Sequence, residues 1–141
     1  MKYLLRTNAL GLVSALCLMN AAAFAEDPPI QIVNIKTALN INDEFQPVHP
    51  TDSFAADTSK VFLWFQWKDS QINSPINARW TYLTENIHVL DYKITIPRRG
   101  GSGGVALAMP KGKTLPPGEY EVRLEYGKTL LKSTQFRVLD K

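Results

Sequence analysis

The chain has 141 residues, of which 45% are hydrophobic and 21% are charged, with 16 basic and 13 acidic side chains. This length and composition fit a globular chain with its own hydrophobic core. A net charge of only +3, with both signs interspersed, provides no electrostatic footprint for nucleic acid or an anionic membrane, so neither is expected as a partner.

The first predicted element is a secretory signal peptide at residues 1–25. Lys2 and Arg6 precede an apolar stretch, which ends in the small residues of an A-x-A site at Ala25. We therefore expect cleavage after Ala25 and one mature domain, residues 26–141, that is periplasmic or secreted. Because Lys2 and Arg6 leave with this segment, 14 basic and 13 acidic residues remain and the mature net charge is +1.

Two membrane-attached alternatives fit the first segment less well. A spanning helix needs about 20 apolar residues, and Arg6, Asn8 and Asn20 leave a shorter run. A lipidated cysteine normally follows a small residue, whereas Leu16 precedes Cys17, the only cysteine. The mature chain is thus expected to have no thiol, no disulfide and no cysteine-bound metal.

From Gln31 onward the apolar residues recur mostly at every second position, which predicts short β-strands and no long helix. The predicted strands are, in chain order, IQIVNIKTAL, VFLWFQWK, INARWTYL, IHVLDYKITI, residues 105–109, EYEVRLEY and a last strand with Leu130, Phe136 and Val138 on one face. Trp80 of INARWTYL is expected in the core. RRGGSGG, residues 98–104, is predicted to be a flexible connection rather than an anion-binding loop, because no helix follows it.

This pattern predicts an all-β fold, an immunoglobulin-like β-sandwich of about seven strands in residues 26–141. A small barrel is the alternative, because strand number alone does not decide closure. The last two predicted strands, within residues 120–139, are expected to form a hairpin.

Residues 51–138 resemble secreted bacterial immunoglobulin-like or fibronectin-like domains. The resemblance rests on TDSFAADTSKVFLWFQW, INARWTYL and LPPGEYEVRLEYGKTLLKSTQFRV, which match the F-x-x-D, A-x-W and L-P-x-G-x-Y-x-V layout of such domains, with a final F-x-V. It implies an immunoglobulin-like fold and an exported location, but no particular ligand. Periplasmic copper-carrying sandwiches share a similar ending, yet their histidine and methionine clusters are missing here.

The sequence contains no recognisable catalytic or metal-binding motif. His49 and His88 are the only histidines and belong to different predicted elements, and neither a G-x-S-x-G elbow nor an S-x-x-K pair occurs. The three glutamates of EYEVRLEY alternate with Arg123 on one face of a strand, which predicts a solvated face with cross-strand charge pairs. We therefore expect that the protein is not an enzyme and uses no cofactor or metal.

The stretch VFLWFQWK, residues 61–68, has four aromatic rings in eight residues, more than one buried strand face needs. Its odd positions are apolar and are predicted to face the core: Val61, Leu63, Phe65 and Trp67. The even face carries Phe62 and Trp64, with Lys60 and Lys68 at its ends, and should look outward because burying unpaired lysines is costly. These four residues form the candidate binding site.

Two outcomes are open for Phe62 and Trp64. The chain's own loop, residues 42–58, can cover both rings with Phe45 and Phe54. Alternatively, the rings stay partly exposed and form a docking surface, because aromatic side chains concentrate binding energy.

The sequence thus predicts an exported, non-catalytic binding or accessory module that docks a protein partner in the periplasm or cell envelope. A carbohydrate-binding module is the alternative, with Trp64 and Trp80 as stacking platforms for a glycan. A small hydrolase or metal carrier ranks third, because it needs His49 or His88 to meet carboxylates.

Overall fold

The computed structural model describes residues 28–141, so the predicted signal peptide, its cleavage site and Cys17 lie outside the described residues. Across this range the chain forms nine β-strands, where about seven are predicted. Their bounds are β1 Gln31–Ile41, β2 Pro47–Pro50, β3 Ser53–Phe54, β4 Lys60–Lys68, β5 Ser74–Tyr82, β6 Ile87–Ile96, β7 Gly101–Ala108, β8 Gly118–Tyr126 and β9 Thr129–Val138. Within 28–141 there is no helix with the length and apolar character of a membrane crossing.

The strands form two sheets. The four-stranded sheet has the order β2-β1-β4-β7, and the five-stranded sheet has the order β3-β9-β8-β5-β6. Neighbouring strands are antiparallel except β3, which runs parallel to β9. As a result β6 and β7 are each the last strand of their sheet, and residues 97–100 carry the chain from one to the other.

The core lies between the sheets and is built from the alternate positions predicted from the sequence. All four odd positions of β4 are buried, as are Ile76, Ala78 and Trp80 of β5. The prediction that Trp80 fills the core is confirmed, since its side chain is 0% exposed. Its ring meets that of Phe136 edge-on, with the centroids 6.1 Å apart.

Tyr120, near the start of β8, fixes one end of this core. Its ring stacks on Phe136 with centroids 4.9 Å apart, and its hydroxyl donates to the carbonyl oxygen of Pro116 at 2.6 Å. A tyrosine bonded to the backbone a few residues upstream at this place is the tyrosine corner of immunoglobulin-like sandwiches. Burial raises the pKa of the Tyr120 hydroxyl to about 12.

The predicted charge pairing on the outer face of β8 is confirmed. Arg123 Nε lies 3.3 Å from the Glu125 carboxylate, and an Arg123 terminal nitrogen lies 3.9 Å from that of Glu121. On the neighbouring strand Arg137 lies 3.9 Å from Glu119, its direct cross-strand partner.

The two additional strands, β2 and β3, come from the stretch predicted to be a loop, residues 42–58. β2 pairs with β1, and β3 pairs with the free edge of β9 through Phe54 and Val138. Phe54 is buried against Phe136, with ring centroids 5.6 Å apart, so it belongs to the main core and does not cover the outer face of β4.

The prediction of a flexible connection at residues 98–104 is wrong for residues 101–104, because Gly101 to Gly104 begin strand β7 and pair with β4, and only residues 98–100 lie between strands. Two of the glycines serve close packing. A Cβ at Gly101 would lie 3.2 Å from the Trp67 ring, and a Cβ at Gly104 would collide with the Ile41 side chain and lie 2.6 Å from the Leu63 carbonyl oxygen.

The prediction that Leu130 shares a face with Phe136 and Val138 in the last strand is also wrong. The register between β8 and β9 shifts between Leu124 and Glu125, so that Leu130 pairs with Glu125 and is exposed. Leu131 packs against the core in its stead. A β-bulge of this kind exchanges the faces of the residues beyond it.

Candidate functional site

The two aromatic rings of the predicted docking face, Phe62 and Trp64, differ in how far they are buried. Trp64 is only 5% exposed, so the alternative in which both rings stay partly exposed does not hold for Trp64. Phe62 is half-buried, and the Lys60 ammonium lies 4.8 Å from the centroid of its ring. Lys68 is exposed at the other end of the strand.

The loop that joins β1 to β2, residues 42–46, is what closes over Trp64. Trp64 Nε1 donates to the carbonyl oxygen of Phe45 at 2.7 Å, and Ser102 Oγ on β7 donates to the same oxygen at 3.0 Å. Inside the loop the Asn42 side-chain oxygen accepts two backbone N–H groups, at 2.9 and 3.0 Å. Self-coverage, one of the two outcomes left open by the sequence, is therefore found for Trp64.

This loop holds Phe45 in a left-handed backbone conformation, with φ of 57°. Across residues 28–141 five non-glycine residues have positive φ, and three of them are asparagine or aspartate, which tolerate it. A bulky residue there costs about 1–2 kcal/mol. Phe45 is nevertheless 51% exposed, so about half of its apolar surface remains in water.

Phe45 also lines an apolar cleft of about 330 Å³, which we call the β6/β7 cleft. Its apolar lining consists of Phe45, Phe65, Trp67, Ile94, Ile96 and Pro97. The polar lining includes Arg98, whose carbonyl oxygen accepts a hydrogen bond from Trp67 Nε1 at 2.9 Å. That bond ties the connection between β6 and β7 to the core strand β4.

The first half of β6 continues this apolar surface. Leu90 and Tyr92 lie opposite Trp80 and Ala78 in the sheet register, which places them on the core-facing side of the five-stranded sheet. They are nevertheless 36% and 49% exposed. The four-stranded sheet does not cover this part of β6, so an apolar strip runs from the cleft along the last strand.

A second cavity, of about 370 Å³, lies on the outer face of the five-stranded sheet and has charged side chains in its lining. Its lining includes Asn77, Asp91, Lys93 and Glu125. A hydrogen bond from Asn77 Nδ2 to Asp91 Oδ1, 3.1 Å long, together with the nearby His88, lowers the pKa of the Asp91 carboxyl. Asp91 therefore presents a fixed negative charge on β6.

The residues considered for hydrolysis or metal carriage are not brought together. His49 lies on β2, at one edge of the four-stranded sheet, and His88 lies on β6, at an edge of the other sheet. Within the described range 28–141, no group of three or more histidine, cysteine or carboxylate side chains is placed to hold a metal ion.

The predicted sugar platforms are not formed either. Trp80 lies in the core and Trp64 lies beneath the loop of residues 42–46, so neither indole face is open for stacking on a glycan. The reason is the same for both residues: an aromatic ring in a strand gains more from burial than from exposure whenever other parts of the chain can reach it.

Comparison with known proteins places the fold. No protein-family model and no curated protein matches the chain. Among solved structures, an immunoglobulin-like protein from Pseudomonas aeruginosa matches 82% of this chain and 98% of its own, with a TM-score of 0.55 and 16% sequence identity. The chain has an immunoglobulin-like fold.

The second similar structure is the alkylpurine DNA glycosylase AlkC of Pseudomonas fluorescens, bound to DNA containing an abasic site analogue. It matches 89% of this chain with a TM-score of 0.50 and 14% identity, and the match spans 34% of the glycosylase. At these identities both matches show the fold alone.

Sequence reasoning missed Phe45 and the core-facing side of β6 as surface features. IHVLDYKITI alternates as a buried strand does, and only the position of β6 at the end of its sheet leaves Leu90 and Tyr92 uncovered. For Phe45 a signal was present: an exposed aromatic residue in the polar run NDEFQP is unusual for a turn.

Proposed function

We propose that this chain is an exported, non-catalytic module that docks a protein partner through the β6/β7 cleft, and not through the outer face of β4. The structural similarity to an immunoglobulin-like protein supports a non-catalytic binding module as the general class. Export is supported by the signal-peptide pattern of residues 1–25.

The proposal rests on the backbone conformation and the exposure of Phe45. A phenylalanine in the left-handed region is conformationally costly, and an asparagine or glycine would satisfy the same loop without that cost. The two hydrogen bonds to its carbonyl oxygen hold the loop in place, while half of the side chain remains exposed beside an apolar cleft. Strain at an exposed aromatic residue is typical of a binding site, where the bound state offsets it.

The cleft also indicates the chemistry of the contact. Its volume suits one or two apolar side chains, and its lining is mostly aromatic and aliphatic. Arg98 adds a positive charge to that lining. A partner segment with an apolar residue next to an acidic residue matches this arrangement.

Phe45→Asn tests the proposal, because it separates stability from binding. The variant should melt at the same temperature as the wild type or higher, since asparagine relieves the backbone strain. Capture of the envelope protein that wild type retains should fall by about 30-fold, the loss expected for an anchor worth about 2 kcal/mol. Phe62→Asn, a half-buried aromatic on the other face, is the control and should keep the partner. Unchanged capture by the Phe45 variant would remove the cleft from the proposal.

A further inference from the structure

The free edge of β6 is the starting point. β6 runs from Ile87 to Ile96 and pairs only with β5 among the described residues, so its second row of backbone N–H and C=O groups is unpaired within residues 28–141. Long edge strands invite pairing with another strand, and proteins usually shorten, cover or charge them on the inner side. The inner side of β6 instead carries Leu90, Tyr92 and Ile94.

The outer side of the same strand carries two opposite charges, Asp91 and Lys93, on either side of Tyr92. Asp91 is held in place by Asn77 and lies 3.2 Å from His88 Nε2, and Lys93 is exposed. This arrangement of charges limits the registers in which a second copy of β6 can pair with the first.

Two identical edge strands that pair antiparallel about a two-fold axis keep matching faces on the same side, so one residue must lie directly opposite its own copy, with the axis midway between them. We refer to this as an axis at that residue. An axis at Asp91 puts two carboxylates opposite each other, and an axis at Lys93 puts two ammonium groups opposite each other. Both arrangements are destabilising. An axis at Tyr92 pairs Asp91 with the partner's Lys93 twice and Leu90 with the partner's Ile94 twice.

We propose that a second copy of this chain pairs with β6 in antiparallel register centred on Tyr92, which joins the two five-stranded sheets into one continuous sheet. Two ion pairs lie on the outer face of the junction, and on its inner face the exposed Leu90 and Tyr92 and the half-buried Ile94 meet the same row of the other copy. The register shift next to Leu90, which comes from the extra residue Val89, ends the regular pairing there.

The inference goes beyond the proposed function, because its register depends on Asp91 and Lys93, which lie on the outer face of the sheet and do not line the β6/β7 cleft, although Ile94 belongs to both surfaces. Loss of the dimer with partner capture intact, or the reverse, identifies which of the two proposals fails.

Charge exchange tests the register, with sedimentation velocity of the purified exported protein as the readout. The wild type should dimerise at concentrations up to about 0.5 mM, in the range of weak interfaces. Asp91→Lys alone and Lys93→Asp alone should each raise the dissociation constant by at least about tenfold, because like charges then face each other twice. An equimolar mixture of the two single variants should recover dimers, since opposite charges again meet across the axis. Lys111→Asp, in the turn after β7, makes the same change in net charge as Lys93→Asp and should leave the dimer intact.

Cross-linking tests the position of the axis independently. A Tyr92→Cys variant places the new thiol opposite its own copy, so mild oxidation should produce a covalent dimer, whereas Thr95→Cys should not. A wild type that stays monomeric up to about 0.5 mM overturns the inference, as does a dimer that both single charge variants preserve. Failure of the mixed variants to recover dimers, or cross-linking at position 95 in place of 92, overturns the register.

Discussion

Gly104→Ala is a direct test of how β7 is built. In the structure a Cβ at this position would lie 2.6 Å from the carbonyl oxygen of Leu63 and would collide with the side chain of Ile41. The Ile41 side chain can rotate away, but the Leu63 carbonyl belongs to β4, the paired strand, and can move only if the sheet opens locally. Overpacking of this kind costs about 1–3 kcal/mol, which exceeds the gain of about 0.4–1 kcal/mol that alanine brings by restricting the unfolded chain.

Thermal unfolding followed by circular dichroism measures this cost. At about 4 °C per kcal/mol for a domain of this size, the net destabilisation should lower the melting temperature by several degrees. Gly100→Ala is the matched control: its nearest neighbour would be the Trp67 carbonyl oxygen at 3.6 Å, an ordinary contact, so the melting temperature should hardly change. If both variants melt like the wild type, residues 98–104 are the flexible connection that the sequence predicts and the packing argument fails.

Three further predictions rest on other parts of the chain. Trp64→Ser should lower the free energy of unfolding by about 3–5 kcal/mol, because the ring is buried under the loop of residues 42–46, and Phe62→Ser should lower it clearly less. Chemical denaturation compares the two variants, and equal losses would contradict the covering role of the loop. Tyr120→Phe should cost about 1–2 kcal/mol at neutral pH because the Pro116 carbonyl loses its donor, with an unchanged unfolding curve as the contrary result. The unfolded tyrosine ionises near pH 10 and the native one near pH 12, so wild-type stability should fall as pH rises between these values, and the phenylalanine variant should lack this decrease. N-terminal sequencing of the exported protein should begin at Glu26, and a chain that begins at an acylated Cys17 would refute the proposed cleavage.

Much of the fold could be predicted from the sequence, because it follows from short-range alternation. Trp80 shares its face with Ile76 and Ala78, and the core side of β4 reads directly from VFLWFQWK. The charged face of β8 also follows from its pattern, since Arg123 and the glutamates around it face water in any register. Strand periodicity and side-chain chemistry suffice for these positions.

The rest depends on contacts between distant parts of the chain. Trp64 is buried because residues 42–46 reach it, 19 positions away in sequence, and alternation within β4 contains no information about that loop. Glycines in β7 look like a flexible linker until the Trp67 ring and Ile41 are seen packed on them. Leu130 changes face because one bulge shifts the register of β9. Alternation within β4 therefore could not show that one ring of the candidate site, Trp64, is covered while the other, Phe62, stays half-buried.

The same dependence explains the exposure of β6. Leu90 and Tyr92 alternate as core residues do, and they point to the core side of their sheet. Whether a facing strand covers them is decided by the width of the other sheet, which has four strands. Tertiary arrangement, not local pattern, makes this part of β6 a surface.

Site-specific photo-crosslinking in the living cell tests the central claim, that the protein docks a partner through the Phe45 side of the β6/β7 cleft. A photoreactive phenylalanine analogue is introduced at Phe45 in one variant and at Phe62 in another, and adducts are resolved by mass after irradiation. The account predicts a discrete adduct between the Phe45 variant and one envelope protein, with none from the Phe62 variant. An adduct that forms from position 62 but not from position 45 would contradict the account and return the site to the outer face of β4.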